Sequence, residues 1–96
     1  MEPPTEFYQR LLAMDEVEAG EIAVAYRKGH DLIAVYDELF VPALISARRD
    51  YQDEKLSTDH LDFIINTTGQ LISKLGHGDR SQSDQEPRGS FGSQNP

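Results

Sequence analysis

From Leu61 to Leu75 the chain places Leu61, Ile64, Ile65, Thr68, Leu71, Ile72 and Leu75 at intervals of three and four, with a single polar member. Only an α-helix puts such residues on one face, and a helix with one apolar face must bury it against something. A strand would need alternation with a period of two, and no stretch of the sequence shows it. With 96 residues the chain has room for one domain and a modest core. The spacing therefore predicts an all-α fold in which this segment packs against other helices supplied by the same chain.

Three further helices can be read. The first follows Pro3-Pro4, where a proline is tolerated because the amide it lacks would be unpaired anyway. Phe7, Tyr8, Leu11 and Leu12 form its face, and it is expected to end near Met14. The second opens on Asp15 with Glu18 three residues on, a capping pair in which the first side chain accepts from a free backbone amide. Ala19, Ile22, Ala23 and Tyr26 form its face, and Gly29 is the candidate C-cap. Gly20 inside it costs about 1 kcal/mol relative to alanine, which a close helix crossing would explain. The third begins near Asp31. Its Leu32, Tyr36, Leu39, Phe40, Ala43, Leu44 and Ala47 make a face broad enough for two neighbours. Pro42 falls in its middle and is expected to kink it, since an interior proline costs about 3 kcal/mol unless the geometry gives way. Ser57, Thr58 or Asp59 caps the fourth, which is expected to stop at Gly76.

Short links favour antiparallel neighbours. The expected architecture is a small up-and-down four-helix bundle over residues 1–76. Residues 77–96 contain one large apolar side chain, Phe91, among Gly, Ser, Gln, Asp and Pro. Such a segment buries too little to offset about 1–2 kcal/mol of ordering entropy per residue, so the expectation there is a disordered tail. Three acids against two bases give this tail a charge of −1, which leaves −7 of the formal −8 to the bundle. An acidic surface repels phosphate backbones and anionic lipid, and no apolar run approaches the roughly 18 residues of a membrane span, so neither nucleic acid nor direct membrane insertion is expected. Cysteine is absent, which removes thiolate chemistry and fits a reducing compartment.

The residues carry no catalytic signature. E-x-x-H and H-E-x-x-H metal patterns are missing around His30, His60 and His77, and the glycines form no phosphate-cradling run. No catalytic, cofactor or metal residues are assigned. The carboxylates read as solvated helix faces and caps. Asp37 is the partial exception: at the edge of the third helix's apolar face, it could meet Arg48 or Arg49 of another chain. The Arg48-Arg49-Asp50 cluster suits a helix C-terminus, where cations pair with the dipole and with nearby acids. Tyr36, Asp37, Arg48, Arg49 and Asp50 are the candidate interface. A rival reading gathers Tyr36, Asp37 and His60 around a ligand pocket.

Two stretches, FYQRLLAMDEVEAGEIA (Phe7–Ala23) and YDELFVPALISARRD (Tyr36–Asp50), resemble in their order and spacing the soluble C-terminal domain of autoinducer-exporter-like (PerM-type) bacterial permeases. The matching positions are Phe7, Tyr8, Gln9, Arg10, Leu11, Leu12 and Asp15, then Tyr36, Asp37, Glu38, Pro42, Ala43, Leu44, Ala47, Arg49 and Asp50. The membrane helices of that family are not in this sequence. The resemblance thus implies a cytoplasmic accessory domain, at the inner face of the membrane through a permease, with a protein partner or a second copy of itself and no cofactor. The segment around VPAL is also similar to the helical cap of cobalamin-binding modules, which implies the alternative of a small ligand-binding bundle.

Overall fold

A computed structural model describes residues 2–83, with side chains through 77. These residues form α1 (Pro3–Leu12), α2 (Glu16–Gly29), a composite α3 and α4 (Thr58–Ser83). The composite is an α-helical turn (Leu32–Val35), a π-helical turn (Tyr36–Phe40) and an α-helix (Val41–Gln52) in direct succession. Backbone angles stay helical at both junctions, so α3 is one rod. The result is the expected up-and-down four-helix bundle, and the described residues contain no strand. α1 lies against α2, α3 and α4, and α4 also crosses α2.

The starts follow the sequence closely. Asp15 accepts from the Glu18 amide at 3.1 Å, Asp31 from Ala34 at 2.8 Å and Ser57 from His60 at 3.1 Å. Each satisfies one of the four amides a helix N-terminus leaves open. The ends differ from expectation. α1 and α3 close with the same motif, in which the sixth amide returns to the first carbonyl and the fifth to the second. Asp15 and Met14 bond Arg10 and Leu11 at the first; Lys55 and Glu54 bond Asp50 and Tyr51 at the second. The pivots are Met14 (φ 57°) and Glu54 (φ 63°), left-handed without being glycine. Gly29, the expected cap, is instead the last helical residue of α2. His30 then turns extended, and Asp31 starts α3 at once.

The core is built from Phe7 and Leu11 of α1, Ala19 and Ala23 of α2, Val35, Leu39, Phe40, Ala43 and Ala47 of α3, and Ile64 and Leu71 of α4. Phe7 and Phe40 meet with ring centroids 5.6 Å apart. Leu32, Tyr36 and Leu44, expected on the buried face of α3, are half-buried, and Val35 takes a core place the sequence reading did not give it. The reason is the π turn. Val41 donates to the Tyr36 carbonyl five residues back, which fits one extra residue into that turn. At about 100° per residue, Val35 would sit roughly 80° round the helix from Ala43 in a regular α-helix; the extra residue reduces this to about 20°. Pro42 follows immediately, as the second residue of the next α segment. Beside the proline, where a kink is expected, the chain carries this widened turn on its N-terminal side.

α4 runs on through Gly76 to Ser83, past the expected stop. An interior glycine costs a helix about 1 kcal/mol but does not end it unless the backbone turns left-handed. The rest of the expected tail, 84–96, lies outside the described residues. Gly20 lies where α2 crosses α4, but a Cβ there would meet Leu71 Cδ2 at 3.5 Å, an ordinary contact, so the crossing does not require a glycine.

Candidate interaction surface

The C-terminal end of α3 is organised by a bond the sequence gave no sign of. Tyr8 of α1 donates its hydroxyl to Asp50 Oδ2 at 2.8 Å. Burial first, and the neighbouring Asp50 carboxylate second, hold the Tyr8 hydroxyl well above the usual tyrosine range; Arg49 opposes this. Asp50 therefore fastens α1 to α3 and is half-buried, so it leaves the candidate contact patch. Arg48 and Arg49 are exposed. Contrary to the expectation of local pairing, neither makes an ion pair with the described residues. The ion pair seen there joins Arg10 to Glu18, N to O 3.0 Å, across the α1–α2 junction. Being substantially exposed, it contributes at most about 1 kcal/mol.

Tyr36 and Asp37 lie at the other end of α3. Eleven residues separate Asp37 from Arg48, roughly 16 Å along a helix axis. Tyr36 leans on Phe40, ring centroids 5.9 Å apart, and its hydroxyl lies beside Gly76. Asp37 points to solvent. Next to it Glu38 accepts from the Tyr26 hydroxyl, and that hydrogen bond raises the Tyr26 hydroxyl above its ordinary range. Tyr26 in turn stacks on His30 at 3.9 Å. This cluster ties the end of α2 to α3.

His60 is in the first turn of α4. Its Nε2 lies 2.8 Å from the Leu12 carbonyl, one of the acceptors left open at the end of α1. Sixteen residues, about 24 Å of helix, separate His60 from the Gly76 that Tyr36 touches. The structure thus does not bring Tyr36, Asp37 and His60 together. Among the described residues there is also no group of three His, Cys, Asp or Glu arranged to hold a metal ion.

Open grooves cross the surface of the described residues, two of them between helices. One of about 590 Å³ runs between α2 and α4 over Val17, Gly20, Val24 and Leu71, with Glu16 and Glu21 towards one end and Lys28 and Lys74 towards the other. A smaller one of about 330 Å³ lies between α1 and α3 beside Tyr8 and Pro42. Both are open troughs that enclose nothing.

The most exposed apolar residues of α3 were not singled out from the sequence, and Ile65 of α4, expected on its buried face, lies at the edge of that face and is exposed. Ile33, Val41 and Ile45 of α3 are 68%, 45% and 53% exposed, and Ile65 of α4 is 49% exposed. Val41 and Ile45 stand opposite the buried Ala43 and Ala47, a pairing that a helical projection of the sequence would have shown. Ile33 joins them only because of the π turn, which brings it from roughly 80° to about 20° of Val41. On α4, Gly69 is exposed, and a Cβ there would meet nothing within 4 Å. Among the described residues no helix is long and apolar enough to cross a membrane. Comparison with protein-family models, with curated proteins and with solved structures finds no match for this chain.

Proposed function

We propose that this chain is a non-catalytic helical interaction module that works by docking a protein on the outward face of α3 and α4. The observation that carries this reading is the exposed apolar series Ile33, Val41, Ile45 and Ile65. Single exposed apolar residues are ordinary, but several grouped on one face are what a docking surface looks like before its partner arrives. The resemblance of Phe7–Ala23 and Tyr36–Asp50 to the soluble domain of PerM-type permeases supports a cytoplasmic accessory role beside a membrane permease. The ligand-binding alternative draws no support from Tyr36, Asp37 and His60, which stand at opposite ends of the bundle.

A photoactivatable cross-linker at position 45 tests the reading in living cells, with position 9 on α1 as the comparison. Protein adducts are expected from position 45 and not from position 9. Absence of any adduct at 45 would overturn the docking face.

A further inference from the structure

Resting on that reading, we infer that the partner on this face is a second copy of the same chain, with the two α3 helices antiparallel across a two-fold axis. Along its solvent side α3 reads acid, apolar, apolar, base: Asp37, Val41, Ile45, Arg48. All four are exposed. Asp37 and Arg48 make no ion pair with the described residues. The midpoint of Asp37 and Arg48 lies between residues 42 and 43, and that of Val41 and Ile45 falls at 43. One axis therefore serves both pairs. Rotation about it sets Val41 against Ile45 of the other copy, Asp37 against Arg48, and Arg48 against Asp37. A stripe with this symmetry is complementary to itself, which is the requirement of a two-fold interface.

α3 is roughly 31 Å long and about 10 Å across, so its outer face alone offers about 300 Å² per partner, and the adjoining flank of α4 enlarges it towards the roughly 600 Å² per partner of the smallest stable interfaces. Gly69 on that flank leaves room for the other copy to approach. Each chain carries a formal charge of −8, and this opposes association at long range. At physiological ionic strength the screening length is about 8 Å, so the overall repulsion is damped while contacts between Asp37 and Arg48 at a few ångströms are kept.

Light scattering coupled to size exclusion, with sedimentation equilibrium, tests this on the full chain at about 10–500 µM, the range a face of this size calls for. The expected mass is twice 10.8 kDa. Ile45→Glu is expected to give the monomer, and Val24→Glu on α2 to leave the dimer intact. Asp37→Arg and Arg48→Asp are each expected to be monomeric, because each sets like charges together. Mixed in equal amounts they are expected to form a one-to-one dimer, since every contact then joins opposite charges. Circular dichroism establishes that each variant is folded. A wild-type monomer throughout the range would overturn the inference, as would a dimer indifferent to Ile45→Glu or a mixture that stays monomeric. A wild-type monomer whose position 45 still cross-links to a different protein would sink the self-pairing and leave the docking reading standing.

Discussion

At the residue scale, the departures from ordinary preference are where substitutions should report most cleanly. Met14 and Glu54 hold left-handed backbone angles at the ends of α1 and α3. A side chain there costs about 1–2 kcal/mol, partly offset by the greater freedom glycine has when unfolded. Both residues are exposed, so little packing is lost with them. Met14→Gly and Glu54→Gly are each expected to raise unfolding stability by about 0.5–1 kcal/mol in denaturant titrations. Thr68 is fully buried, and its hydroxyl has no hydrogen-bond partner among the described residues. An unsatisfied buried polar group costs about 1–3 kcal/mol. Thr68→Val keeps the shape and is expected to gain about 1 kcal/mol; a loss would show that the hydroxyl is bonded. Tyr8 gives a pH signature. Its hydroxyl is raised above the ordinary value of 10.0 in the folded chain, so the native state keeps a proton that the unfolded chain releases. Stability from this source is complete below pH 10 and is lost as the pH climbs above it. Tyr8→Phe is expected to flatten the alkaline fall in the unfolding midpoint, and an unchanged slope would count against the Tyr8 hydroxyl, raised by burial first and Asp50 second, as its source.

At the scale of elements, the π turn in α3 decides which side chains face in and which face out. Its cause is the need to keep Val35 in phase with Ala43 across one residue too many. Pro42→Ala alone is therefore expected to retain the wide turn, with the Val35 methyl groups still protected. Deleting Glu38 as well is expected to give a regular α-helix with the same core, read from backbone chemical shifts. A regular helix with Val35 exposed in Pro42→Ala alone would show the proline to be the cause. This element also marks the limit of what could be read beforehand. The capping pair at Asp15 and the spacing from Leu61 to Leu75 were legible because both act within a few residues. The extra residue in α3 leaves no local mark, since YDELF is good helical sequence and only the distant core makes it widen. The Tyr8–Asp50 bond spans 42 positions and is equally invisible to spacing. It took Asp50 out of the candidate patch, while Asp37 and Arg48 stayed exposed. Glycine gave poor guidance: Gly20 lies at a crossing with room for a Cβ, Gly29 did not turn the chain and Gly76 did not end its helix.

On the scale of the whole molecule, α1 is placed by what comes long after it. Phe7 packs on Phe40, Tyr8 bonds Asp50, and the last carbonyl of α1 meets His60, 48 residues from Leu12. During synthesis at about 5–20 residues per second, that distance amounts to roughly 2–10 s before α4 reaches α1, and until α3 is made α1 has only α2 beside it. An isolated helix of ten residues is below the length of about 12–15 at which a helix persists alone in water. Stalled nascent chains that expose residues only to about 35 are therefore expected to be cut by protease within α1. Chains exposing the first half of α4 are expected to resist, and early protection of α1 would show that α2 alone can hold it. The joint between α1 and the later helices thus acts as a completion signal: the start of the bundle is sealed only when its last helix has begun to arrive.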